Sequence, residues 1–159
     1  MNKYEAILNE TKKAVIGKDE QLEKILTAIL AKGHILLEDI PGVGKTTMAR
    51  AFAAAMSLQT KRMQFTVDVL PSDVIGFMAL ERHSGEPKLH PGAVFCNIFL
   101  ADEINRTSSR TQAALLEVME ENRITVDGVT YPAMDPFIVL ATQTPRRAPT
   151  SPLPPDSQL

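Results

Sequence analysis

The chain has 159 residues, 44% of them hydrophobic, which fits one ordinary domain with a real core and excludes wholesale disorder. Seventeen lysines and arginines against 19 acids leave a formal charge of −2, which excludes a general electrostatic pull toward nucleic acid or anionic membrane but not a path lined by a few local basic residues. The single cysteine, Cys96, cannot form an internal disulfide and reads as a small buried hydrophobe.

No apolar run approaches the roughly 20 residues that span a bilayer, and the opening MNKYEAILNE lacks the apolar core of a signal peptide, so a soluble cytoplasmic protein is expected. From Asp19 the apolar residues fall at Leu22, Ile25, Leu26, Ile29 and Leu30, a helical spacing with one buried face, and Gly33 stands where a C-terminal cap is expected. Ile35-Leu36-Leu37 reads as a short buried strand. The glycine turn PGVGKT, Pro41 to Thr46, follows, and then TMARAFAAAM, Thr47 to Met56, a run of strong helix formers. A second strand is expected over Lys61 to Val67, and Pro71-Ser72 open a short helix or turn. Between Phe77 and Phe95, Ser84-Gly85-Glu86-Pro87 and Pro91-Gly92 mark turns and a hairpin.

Ile98-Phe99-Leu100-Ala101 is a third strand, ending at Asp102-Glu103. Residues 108–121 form an amphipathic helix with Leu115, Leu116 and Met119 on one side. ITVDGVTY, Ile124 to Tyr131, sets Asp127-Gly128 between alternating β-formers, a hairpin signature. FIVLA, Phe137 to Ala141, is a fourth buried strand. Strands alternating with helices point to an α/β fold whose parallel sheet is covered on both faces. From Thr144 onward, five prolines in sixteen residues exclude a regular helix or a central strand.

The strongest chemical signal is Gly42-Val43-Gly44-Lys45-Thr46, placed directly after a strand and before a helix. Triphosphate packs several negative charges closely, and backbone N–H groups can wrap them only where side chains stay clear. Gly42 and Gly44 allow that approach, and the helix that follows aims its N-terminal N–H groups at the phosphates. Lys45 is then the cation for the β and γ phosphates, and the Thr46 hydroxyl a ligand for Mg²⁺. The pattern G-x-x-x-x-G-K-[ST] places its first glycine at position 39, where this chain has Asp39.

The strand ending in two acids is the complementary part. Asp102 suits a magnesium-holding carboxylate, and Glu103 the group that orients or deprotonates water. Both stand at the carboxyl end of a buried strand, where open α/β sheets bind ligands. After the FIVLA strand, Thr142, Gln143 and Thr144 add polar groups beside the same place.

Three runs together, LLEDIPGVGKT, LADEINRTSSRTQAALLEVMEENRITVDGVTYP and FIVLATQTP, resemble the MoxR family of AAA+ ATPases, over about Val15 to Leu159. The resemblance implies a three-layer αβα P-loop NTPase core of AAA+ type spanning 1–159, with a five-stranded parallel sheet. It further implies an insertion near the second helix at 77–95 and a β-hairpin before the sensor strand at 123–131. It implies ATP and Mg²⁺ as ligands, hydrolysis of ATP to ADP coupled to remodelling of protein partners, often with von Willebrand A domains, and a ring, commonly a hexamer. By position, Lys45 and Thr46 are the Walker-A pair within the phosphate segment Pro41, Gly42, Val43, Gly44, Lys45, Thr46 and Thr47. Asp102 and Glu103 are the Walker-B pair, Ile16-Gly17 packs on adenine, and Thr144 takes the sensor place that asparagine usually fills. Family members continue into an arginine-bearing helix, a fifth strand beside the first and a helical lid, so the chain is expected to be a core incomplete at its C-terminus, with Ile35–Leu37 at an uncovered edge. Arg146 and Arg147 lie in the wrong segment to replace the missing arginine.

Other residues have plainer readings. His34, His83, His90 and Cys96 match no zinc spacing. Arg106 either reaches a neighbouring subunit's nucleotide or forms a surface salt bridge, and Gln64 and Thr66, at the end of the second strand, are candidates to restrain Glu103 when no partner is bound. Two other functions compete with the protein-remodelling ATPase: a nucleic-acid remodelling motor, which the balanced charge disfavours, and a non-catalytic nucleotide-binding module.

Overall fold

Three short apolar runs and one polar segment, TKRMQ, become the strands of one parallel sheet. The computed structural model describes residues 2–38 and 44–143. In chain order these are α1 (Lys3–Ala14), α2 (Asp19–Leu30), β1 (Ile35–Glu38), α3 (Lys45–Met56), β2 (Thr60–Gln64), α4 (Pro71–Ile75), β3 (Gly76–Leu80), β4 (Pro87–Pro91), β5 (Ile98–Asp102), α5 (Ser109–Glu121), β6 (Arg123–Val126), β7 (Val129–Pro132) and β8 (Ile138–Gln143), with a 3₁₀ turn at Ile104–Arg106. The sheet order is β1-β8-β5-β2 with every pairing parallel, so among the described residues β1 and β2 are the edges. All five residues of β5 are buried, as a central strand covered on both faces requires.

Alternation along the strands sorts the core into two layers. Ile98, Leu100, Ile138 and Leu140 pack against Leu22, Ile25 and Leu26 of α2 and Met48 and Phe52 of α3. Phe99, Ala101, Val139 and Ala141 face the opposite way, onto Leu115 and Val118 of α5 and Ile124 of β6. The result is the three-layer α/β architecture that alternating elements predict.

Local signals account for most boundaries, and three differ from expectation. α1 was not marked by hydrophobic spacing. It is set by a capping box, in which Asn2 Oδ1 accepts from the amides of Tyr4 and Glu5 and the Glu5 carboxylate accepts from the Asn2 amide. At the end of α2, Lys32 and not Gly33 takes the left-handed conformation (φ 54°), and the Gly33 amide closes the turn onto Ala28 O at 2.9 Å. β2 stops at Gln64 rather than Val67. The Phe65 amide still donates to Asp102 O, but the Phe65 side chain turns into the core beneath α5 and the chain leaves the sheet.

Two antiparallel hairpins flank the α5 face. In β3–β4, Gly76 pairs with Pro91, and a Cβ at Gly92 would fall 2.3 Å from Val74 O and 2.4 Å from the Gly76 amide, so only glycine fits there. In β6–β7, Asp127 (φ 48°) and Gly128 (φ 81°) form the two-residue turn that positive φ at both positions demands. The hairpins touch: the Met78 amide donates to Asp127 Oδ2 at 3.0 Å.

Candidate nucleotide site

α3 begins at Lys45, directly after Gly44. Gly44 has φ 71°, a left-handed value that costs an L-residue about 1–2 kcal/mol, and Lys45 opens the helix directly after it. The Gly44 carbonyl accepts the first helical bond from the Met48 amide at 2.9 Å. Thr46 is half-buried and Thr47 exposed in the first turn. Asp39, Pro41, Gly42 and Val43 lie outside the described residues, as do Thr144, Arg146 and Arg147.

A cavity of about 440 Å³ opens between α2, β1 and the start of α3, bounded by Lys18, Gln21, Ile25, Leu37, Lys45 and Met48. Ile16, 89% exposed, and Gly17, at φ 76°, immediately precede Lys18 at its rim. Lys18, Lys24 and Lys45 line this hollow among mostly apolar residues, and Ile16-Gly17 adjoin it in sequence.

The acids sit two strands away, at the same carboxyl end of the sheet. Leu37 of β1 pairs with Thr142 of β8, and Ala101 of β5 with Ala141, so the carboxyl ends of β1 and β5 stand about 10 Å apart with β8 between them. Asp102 is nearly buried. Its Oδ2 accepts from Arg62 Nε at 2.6 Å, and its Oδ1 accepts from the Thr142 hydroxyl at 3.4 Å. The next residue, Glu103, is in the left-handed region (φ 54°, ψ 47°), which breaks the strand's alternation between the two acids. Its amide donates to the Thr142 hydroxyl at 3.0 Å, so one threonine ties both acids together. Glu103 Oε2 accepts from Gln64 Nε2 at 2.9 Å and from an Arg106 terminal nitrogen at 2.7 Å. Each acid is thus held by a guanidinium, Asp102 from the neighbouring strand and Glu103 from its own turn.

Arg106 forms an intrachain salt bridge, on Glu103 itself. Gln64, not Thr66, meets the Glu103 carboxylate. Sequence reasoning missed Arg62 and the bridging role of Thr142. The signal for Arg62 was its position two residues before Gln64, on the same face of the strand. No group of histidine, cysteine and acid able to hold a metal forms among the described residues. His34 is instead bonded to Met119 O through Nε2 at 3.1 Å and to the Val139 amide through Nδ1 at 3.0 Å, and His90 stacks on Phe77. Cys96 is buried, with its thiol pushed up to about 11 by burial. No helix among the described residues is long and apolar enough to cross a membrane.

A helix opened by Gly44-Lys45 and a strand ended by two acids thus stand at the same carboxyl end of the sheet. The family described as the ATPase family associated with various cellular activities (AAA) matches residues 34–159. The chain belongs to this AAA family. Its relatives place it in the MoxR type: it is 42% identical over 141 residues to the chaperone MoxR1 of Mycobacterium tuberculosis, covering 89% of this chain and 37% of that protein. It is 53% identical over 133 residues to the Bacillus subtilis protein YeaC, covering 84% of this chain and 42% of YeaC. The crystal structure of a candidate ATPase from Cytophaga hutchinsonii superposes with a TM-score of 0.82 at 44% identity, over 96% of this chain and 47% of that one. This AAA chain therefore spans about two fifths of the curated relatives' length, and the four-stranded parallel sheet with its helices is the AAA+ P-loop fold.

Proposed function

We propose that this chain binds ATP with Mg²⁺ and hydrolyses it, as the motor core of a MoxR-type assembly that remodels protein partners. The observation that carries this is the juxtaposition of Asp102 and Glu103, tied by Thr142, with the sheet edge where β1 leads into Gly44-Lys45. The phosphates are cradled by amides of the segment Pro41 to Thr47, with Gly42 and Gly44 keeping side chains clear and Lys45 supplying the cation. The cavity beside Lys18 and Lys45 takes the base, against Ile16-Gly17.

The donor set fits a hard cation: Asp102 offers carboxylate oxygens and Thr46 a hydroxyl, and magnesium prefers oxygen ligands. When bound, magnesium would neutralise charge developing on the β and γ phosphates. Glu103 receives the proton of the attacking water or orients it, once its carboxylate leaves Gln64 and Arg106. Thr144 is proposed as the γ-phosphate sensor, by its place one residue past β8. Assembly as a ring, commonly of six copies, partners bearing von Willebrand A domains, a cytoplasmic location, and roles for 77–95 as an insertion and 123–131 as a presensor hairpin belong to the same proposal. They draw support from the family membership and the resemblance to MoxR proteins.

Titration with a fluorescent ADP analogue tests the site. Lys45→Ala is expected to weaken binding at least about 30-fold, as loss of a charge-assisted phosphate contact does. Unchanged affinity in a variant with native circular dichroism would sink the proposal.

A further inference from the structure

We infer that Arg62 is a resident counter-ion of Asp102 that competes with the divalent cation, and so sets the metal concentration at which the site fills. This rests on the reading of Asp102 as the metal-holding acid. The Asp102 side chain is only 12% exposed, and a carboxylate so far out of water needs a compensating charge. Arg62 supplies it from β2. Its backbone pairs with Leu100, two residues before Asp102, so both side chains project from the same face of the sheet.

The form of the contact is that of a cation that can leave. It is one bond, Nε to Oδ2 at 2.6 Å, rather than the two-pronged clasp a guanidinium makes when it locks a carboxylate. Arg62 is itself 55% exposed, so its charge can return to water with little loss, whereas Asp102 cannot. Oδ1 carries the Thr142 hydroxyl at 3.4 Å, so a cation arriving at either carboxylate oxygen stands close to the Arg62 charge on Oδ2. A guanidinium and a divalent ion on one carboxylate repel at close range, so filling the site favours withdrawal of Arg62.

A purely structural ion pair between β2 and β5 predicts the opposite sign. Its removal would lower the melting temperature and leave metal affinity unchanged or weaker. Competition predicts that removing Arg62 tightens metal binding even if the fold loses stability.

The test is electron paramagnetic resonance titration of Mn²⁺ into the protein saturated with ADP, comparing wild type, Arg62→Gln and Asp102→Asn. Arg62→Gln is expected to bind Mn²⁺ about tenfold more tightly, by relief of cation–cation repulsion, and Asp102→Asn more weakly than wild type. If Asp102→Asn is weakened while Arg62→Gln matches or falls below wild type, the inference is overturned and the metal reading stands. If Asp102→Asn matches wild type, the metal reading itself fails and the inference falls with it. Should Arg62→Gln not fold, Arg62→Met carries the test. It removes the charge and keeps an unbranched stem on β2, and Mn²⁺ affinity equal to wild type overturns the inference.

Discussion

The Gln64 carboxamide, at the last residue of β2, donates to Glu103 Oε2 across 2.9 Å. A carboxylate that accepts from donors is a weaker base than one facing only water. Gln64→Ala is therefore expected to raise the basal ATP hydrolysis rate by about three- to tenfold, the share of one ordinary exposed hydrogen bond, with nucleotide affinity little changed. Steady-state kinetics alongside nucleotide titration checks it, and a slower enzyme would show that Gln64 positions Glu103 for catalysis instead.

Glu103→Gln keeps the shape of the side chain and removes its capacity to take a proton. Nucleotide binding is expected to persist while turnover falls by about 10²–10⁴, the range for a positioned general base. Hydrolysis at the wild-type rate would place the base elsewhere.

His34 joins three elements: it precedes β1, donates to Met119 O at the end of α5 and accepts from the Val139 amide of β8. Replacing it with leucine leaves a part-buried amide and carbonyl without partners. A loss of about 1–3 kcal/mol is expected, measured by urea denaturation. No loss would mean that water replaces both bonds.

Burial raises the Cys96 thiol to about 11, above its ordinary range. The folded chain then keeps its proton where an unfolded chain loses it. The unfolded state binds fewer protons between about pH 9 and 11, so this residue makes stability fall as pH rises through that window. At pH 8 the thiol is expected to react with a disulfide reagent only after denaturant is added, and rapid labelling of the folded protein would contradict its burial.

What the sequence made legible follows the range of the interactions. β5 and β8 are apolar runs on a polar background, and the β6–β7 turn is written in Asp127-Gly128, so all three emerge from neighbouring residues alone. The same holds for the two acids, which end a buried strand, and for Gly44-Lys45 at the head of α3. α1 escaped because its buried side is thin, with Leu8 and Thr11 its buried residues, and the cap at Asn2 was the better sign. The end of β2 could not be read from Lys61–Val67, because it is decided by where Phe65 finds the core. Likewise the partners of the acids come from 40 residues away for Arg62 and 39 for Gln64, a proximity created only when β2 pairs with β5.

That pairing has a mechanical corollary. Arg62 and Gln64 lie two residues apart on one edge strand, and each grips a different acid. A displacement of β2 along its own axis would loosen both grips in a single stroke, so the proton acceptor and the cation holder are geared together rather than set independently.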